Sequence, residues 1–350
     1  MLTKGFASAS RNLCRSTSLA PKPTAPGPQR VGSSIAGLSH LPAVPSAANC
    51  FASPVSRKTP SPSLRRTVTM ASAGSALDWG KEDSRRMLHV VYRVGDLEKT
   101  IEYYKKHFGM QLLRMRDVPE GKFTNAFLGY GSELEHCVLE LTYNYGVDSY
   151  PLGDGFGHFG LAVNDVYKTA ESIQSSGGQV PRPAGPVKGG STIIAFAKDP
   201  TGYSFELIQR EGKIPEPFAQ VMLRVFDLEK SIQYYTQALG MTLLRKRENP
   251  EGRYTLAFLG YGPEEENTVF ELTYNWDRKE PYNKGGGYAQ MAISTNDVYK
   301  TAEQIRAAGG TLTKEPGPAS PNIPTKICAT TDPDGWKIVF VDNEDFKKEF

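Results

Sequence analysis

The sequence predicts an α+β protein made of two tandem domains, each assembled from a pair of β-α-β-β-β modules. The first observation is a repeat. Residues 89–144 and 220–275 share 34 identities in 56 positions, at a constant offset of 131 residues with no gap. A repeat of that length is a duplicated domain, well beyond the roughly 20–50 residues of a solenoid period. The second observation is that the same order of strand and helix signals occurs twice inside each copy. The chain therefore holds four modules.

In the first module HVVYRV (89–94) reads as a strand. A helix follows, with Asp96 as N-cap and Leu97, Ile101, Tyr104 and Phe108 on one face at helical spacing. Gly109 stands where a C-cap glycine belongs. QLLRMRD, FTNAFLGYG and HCVLELTYN are the remaining strands, separated by PEG and GSE turns. The second module opens with HFGLAV (158–163) and a helix started by Asp165 and ended by Gly177 and Gly178. QVPRPA, STIIAFAKD and YSFELIQR complete it, with DPTG as a turn. The domains are expected over 85–212 and 216–345, joined at GKIPEPF (212–218), which has linker composition.

The first seventy residues belong to neither copy. They carry nine Lys or Arg, no Asp or Glu, and much Ser, Pro and Ala, without the apolar core of a secretory signal. Residues 1–72 are expected to be a disordered transit peptide addressed to the chloroplast stroma, with a mitochondrial address the less favoured alternative. The whole chain has net charge +3 and the leader +9, so the remainder is at −6 (3 − 9). A mildly acidic body is a poor partner for nucleic acid. Of the four cysteines, Cys14 and Cys50 lie in the leader, and Cys137 and Cys328 fall one per domain, which is no disulfide framework. No run approaches the ~18 apolar residues of a membrane span.

The polar residues of the strands carry the chemistry. Residues i and i+4 of a strand share a face, so His89 goes with Arg93 and Glu140 with Asn144. His158 opens the second module, and Glu206 lies in its last strand beside Ser204 and Ile208. A lone strand histidine is usually a hydrogen-bonded core or edge residue, and a lone strand glutamate usually faces solvent. Burying a carboxylate in a β-module without a partner costs several kcal/mol. Four such residues at equivalent ends of a repeated module are a sensible divalent-metal set, two imidazoles and two carboxylates.

The segments HVVYRVGDLEKTIEYY, VLELTYN, GHFGLAV, GPVKGGSTIIAF and KDPTGYSFELI together resemble glyoxalase I (the lactoylglutathione lyases) of the vicinal-oxygen-chelate superfamily, in its two-domain plastid-targeted form, over about residues 85–345. The resemblance implies tandem vicinal-oxygen-chelate domains and one divalent metal ion per chain: nickel or zinc, with cobalt possible. It implies glutathione as cosubstrate and isomerisation of the methylglyoxal–glutathione hemithioacetal to S-lactoylglutathione. His89, Glu140, His158 and Glu206 match the family's metal ligands, and Glu206 also matches its catalytic base. Arg93 and Asn144 match its substrate-binding pair, with His158 beside them, and Lys188-Gly189-Gly190 resembles a substrate-covering loop.

The second copy departs from this pattern, with Gln220 and Gln290 replacing the histidines, Val339 replacing the last glutamate, and ASPN (319–322) replacing VKGG. Glu271, Arg224 and Asn275 are kept. In the family a site draws its two ligand pairs from different domains or subunits. Shared assembly here gives Gln220, Glu271, His158 and Glu206, with Arg224 and Asn275 for the thiol. Assembly within domain one gives His89, Glu140, His158 and Glu206. Survival of Glu271, Arg224 and Asn275 in a copy that has otherwise lost its chemistry favours sharing, and His89 opposes it. A monomer is plausible, because the two domains can pair within one chain. Two other readings are an extradiol-type dioxygenase of the same superfamily and a non-catalytic protein that sequesters a small molecule in the same cleft. Glu140 as a fourth ligand argues against the first, and retention of Glu206 against the second.

Overall fold

The computed structural model of the protein describes residues 70–350, apart from 189 and 322. All but the last three residues of the expected transit peptide lie outside the described residues. Those three open helix α1 (Met70–Glu82). Module one comprises β1 (Met87–Arg93), α2 (Leu97–Phe108), β2 (Gln111–Val118), β3 (Phe123–Gly129) and β4 (Val138–Asn144). Module two comprises β5 (Phe156–Val163), α3 (Val166–Ser175), β6 (Gln179–Pro186), β7 (Ile193–Lys198) and β8 (Ser204–Gln209). Module three follows with β9 (Phe218–Arg224), α4 (Leu228–Gln237), β10 (Thr242–Asn249), β11 (Tyr254–Gly260) and β12 (Val269–Asn275). Module four has β13 (Tyr288–Thr295), α5 (Val298–Ala307), β14 (Leu312–Ser320), β15 (Ile323–Thr331) and β16 (Lys337–Asp342), and the short helix α6 (Asn343–Lys347) ends the fold. The four modules thus keep the predicted β-α-β-β-β order. None of the helices among the described residues is long and apolar enough to cross a membrane.

The four module helices start in the same way. Asp96, Asp165, Asp227 and Asp297 sit at the N-caps in extended conformation, and each accepts from a backbone N–H one turn on. Such a cap is worth about 1 kcal/mol. Gly109 ends α2 at φ 67°, a left-handed conformation that glycine takes without a steric penalty.

The strands form two eight-stranded sheets, and neither belongs to one copy. One runs β14-β15-β16-β13-β1-β4-β3-β2 and the other β10-β11-β12-β9-β5-β8-β7-β6. Modules one and four share the first, and modules two and three share the second. The seams are antiparallel, β1 on β13 and β5 on β9. Alternation along the seam strands separates two environments. Val90 and Tyr92 of β1, and Phe159 and Leu161 of β5, enter the apolar core common to both sheets. His89 and His158 point the other way, into the concave face of their sheet.

Polar contacts tie the pieces together. The Tyr92 hydroxyl donates to Tyr104 at 2.8 Å, and Tyr104 donates to Asp199 Oδ2 at 2.6 Å. The linker is held as well, because buried Glu216 accepts from the Cys137 N–H at 3.0 Å. Ahead of the first copy, buried Arg85 pairs with Asp83 at 2.9 Å and donates to Leu239 O, Thr301 and Gln304 at 2.8–3.0 Å. This residue ties the segment just after α1 to the turn just after α4 and to α5. Arg85→Ala leaves Asp83 buried without its counter-charge, a change that costs about 3–5 kcal/mol. Thermal unfolding should show a clear drop in midpoint for this variant. An unchanged midpoint would contradict the anchoring role.

Candidate active site

The concave face of the β5–β9 sheet encloses a cavity of about 900 Å³. Four strands aim one polar side chain each at its floor: Gln220 from β9, Glu271 from β12, His158 from β5 and Glu206 from β8. His158 Nε2 lies 3.1 Å from Glu206 Oε2 and 3.5 Å from Glu271 Oε2. The Gln220 amide lies 3.2 Å from His158 Nε2, 3.0 Å from Glu206 Oε2 and 2.6 Å from Glu271 Oε2. Gly160 makes room for it. A Cβ at that position would stand 2.1 Å from Gln220 Cγ.

Three buried or half-buried groups of this kind, two of them acidic, repel one another unless a positive charge sits among them. Burial alone pulls His158 down, but its hydrogen bonds to Glu206 and Glu271 outweigh burial and push it up to about 9. The imidazolium thus supplies the cation in the protein by itself. The donor atoms of His158, Glu206 and Glu271 all lie within 4.8 Å of one another, and among the described residues they are the one such group of three. The carbonyl end of Gln220 can complete the set by an amide flip. One imidazole, two carboxylates and an amide oxygen fit a borderline divalent ion.

Of the other predicted residues, Arg224, Asn275 and Lys188 line this cavity. Arg224 donates to the carbonyls of Asp154 and Phe156, and Asn275 to the Tyr282 hydroxyl. Lys188 pairs with Glu251, reaching from module two across to the β10–β11 turn of module three. The strong basic character of the wall comes from Arg182, Arg210, Arg245 and Arg247, which the sequence reading passed over. The signal was present: LLRMR occurs in the first copy and LLRKR at the same place in the second, and an R-x-R in a strand puts both arginines on one face.

His89, Glu140, Arg93 and Asn144 lie in the other sheet. The within-domain set of His89, Glu140, His158 and Glu206 is therefore not brought together, because adjacent modules of one copy do not share a sheet. His89 Nε2 contacts Glu140 Oε2 at 3.2 Å, and its Nδ1 is buried without a hydrogen-bond partner. Burial, then Arg114, Arg86 and Arg116, lower His89 to about 3, and burial raises Glu140 to about 7. Both shifts favour the neutral forms of the pair. Around it stand Val339, Ala292 and Ala329, covered by Phe346 of α6. The register gives the reason. Phe196 pairs with Glu206 in one sheet and Ala329 with Val339 in the other. Phe196 packs edge-on against His158 at 5.3 Å, whereas the space beside Ala329 is taken by Phe346, 6.2 Å from the His89 ring.

The Glyoxalase/Bleomycin resistance protein/Dioxygenase superfamily model matches residues 86–207 and again 218–340. The chain belongs to this superfamily. It is 59% identical to the probable chloroplastic lactoylglutathione lyase of Arabidopsis thaliana over 298 residues, 82% of this chain and 84% of that one. It is 52% identical to the lactoylglutathione lyase of Escherichia coli O157:H7 over 126 residues, 36% of this chain and 93% of that one. Crystalline glyoxalase I from Zea mays superposes with a TM-score of 0.75 at 61% identity, covering 78% of this chain and 97% of that one. That bacterial relative is about one domain long, so its match covers about one of the two copies in this chain.

The geometry predicts how metal binding responds to mutation. Removing a carboxylate from the His158–Glu206–Glu271 group should cost a ligand, whereas the His89 pair contributes none. Glu271→Ala should lose bound nickel or zinc after dialysis, and His89→Ala should retain it. The reverse pattern would contradict the assignment.

Proposed function

We infer that this chain is a lactoylglutathione lyase that isomerises the hemithioacetal of methylglyoxal and glutathione to S-lactoylglutathione, with its one working site across the β5–β9 seam. The observation that carries the reading is the convergence of His158, Glu206, Gln220 and Glu271 on the floor of a basic cavity. The names of the relatives supply the reaction. These four residues would hold one divalent ion, nickel or zinc, with cobalt compatible with the same donors. When bound, the ion supplies Lewis-acid stabilisation of negative charge developing on substrate oxygen.

The remaining work falls to the chain. The hemithioacetal has a carbon-bound proton next to a carbonyl. Glu206 takes that proton, and delivering it to the neighbouring carbon completes a redox-neutral isomerisation. Gln220 and Glu271 hold the floor beside Glu206, and before an ion is bound the Gln220 amide donates to the Glu206 carboxylate at 3.0 Å. Arg224 and Asn275, from the upper ends of β9 and β12, bind the glutathione portion, as a guanidinium suits a carboxylate. Lys188, paired with Glu251, covers the mouth and limits access of water. Each sheet takes strands from both copies of the same chain, so no second chain is needed to build the site, and a monomer suffices. The chloroplastic relative supports a plastid address for the leader.

Replacing the base tests this reading directly. Glu206→Gln keeps the shape and removes the proton acceptor, so turnover should fall by roughly 10² or more, the scale of a lost general base. Circular dichroism should stay native. Turnover near that of the native chain would refute the mechanism.

A further inference from the structure

The second concavity already holds a carboxylate, that of Glu349. Arg116 Nη2 donates to its Oε2 at 2.6 Å, Arg114 Nη1 lies 3.5 Å from the same oxygen, and the Thr325 hydroxyl donates to its Oε1 at 2.7 Å. The two copies place residues of the same types at the corresponding positions of the first concavity. Arg247 and Arg245 correspond to Arg116 and Arg114 at the repeat offset of 131, and Thr192 corresponds to Thr325. All three line the first cavity.

The supporting contacts also match. Arg114 lies over the Phe127 ring at 3.6 Å with its Nε 2.6 Å from Glu133, and Arg245 lies over the Phe258 ring at 3.4 Å with its Nε 2.6 Å from Glu264. The difference is the occupant. After β16 the chain turns through α6 and brings Glu349 back onto the arginines, whereas after β8 it leaves through the linker to β9. The Arg245 side chain is accordingly 45% exposed, against 19% for Arg114. Among the described residues Arg247 forms no ion pair.

We propose that Arg245, Arg247 and Thr192 form a carboxylate subsite of the first concavity, the open counterpart of the pocket in which the second concavity binds its own Glu349. The ligand class is a carboxylate of the glutathione portion of the substrate, so the proposal rests on the lyase reading. Position supports it. Arg245 stands opposite Phe258, and Phe258 opposite Glu271. The subsite thus lies two strands, about 10 Å, from the metal-binding carboxylate. An extended tripeptide at roughly 3.3 Å per residue spans that distance. Two guanidinium groups and a hydroxyl give a carboxylate charge-assisted bonds on both oxygens, as they do at Glu349.

The test is calorimetric titration of the metal-loaded full chain with S-methylglutathione, which keeps both carboxylates but has no reacting carbon. Arg247→Met keeps the apolar stem and removes the guanidinium. It should bind this ligand about tenfold or more weakly, the scale of one charge-assisted hydrogen bond. The ligand's dimethyl ester, with both carboxylates masked, should bind the native chain and Arg247→Met alike. Equal affinity of native chain and variant for S-methylglutathione would overturn the subsite. So would an equal loss for acid and ester, which would mark Arg247 as a shape-keeping residue. Failure of the native chain to bind S-methylglutathione at all would defeat the lyase reading, and the subsite with it.

Discussion

The antiparallel pairing of β5 with β9 is the constraint on which the rest depends. It joins module two of the first copy to module three of the second, and only that register brings Gly160 opposite Gln220 and His158 beside Met222. A one-residue slip would turn every polar side chain of these strands into the core and every aromatic one into the cavity. The parallel partners β8 and β12 then add Glu206 and Glu271 from either side. The site is therefore a property of the seam and of neither domain. Two carboxylates, one imidazole and one amide are tolerable there because a cation balances them, and the largely buried floor keeps that balance local.

The other seam shows what happens when the demand for a cation is removed. With Val339 in place of a carboxylate and Gln290 in place of a histidine, the surviving His89–Glu140 pair is shifted toward its neutral forms. Neutral forms are covered by apolar groups at lower cost than charged ones, and Phe346 covers this pair at 3% exposure. The pair's electrostatics and the closure by α6 are thus two faces of one change. The same closing segment carries Glu349 to Arg114 and Arg116, so the arginines of this cleft are occupied from within.

Much of this was legible in the sequence. The duplication, the four modules, the aspartate caps and the glycine C-cap are local signals, and each was found where the pattern placed it. Strand alternation also put His89 with Arg93, Glu140 with Asn144 and Glu206 with Ser204 and Ile208, whereas the grouping of His158, Glu206, Gln220 and Glu271 came from the family resemblance. What alternation cannot specify is which strand lies beside which, because a period of two is the same for every partner. The choice between sharing and within-domain assembly was open for that reason. Arg85 and helix α1 lie outside the repeat, so comparing the copies could not reveal them. The linker composition of GKIPEPF gives no sign that Glu216 is buried, because composition does not show burial. Helix α6 was missed because Phe346 gains meaning only beside His89, far away in sequence.

The central claim is that one metal ion binds across the β5–β9 seam. It is tested most directly by anomalous diffraction at the nickel or zinc edge from crystals of the metal-loaded chain. The account predicts one strong peak per chain among His158, Glu206, Gln220 and Glu271. A peak between His89 and Glu140, with none at the seam, would contradict it.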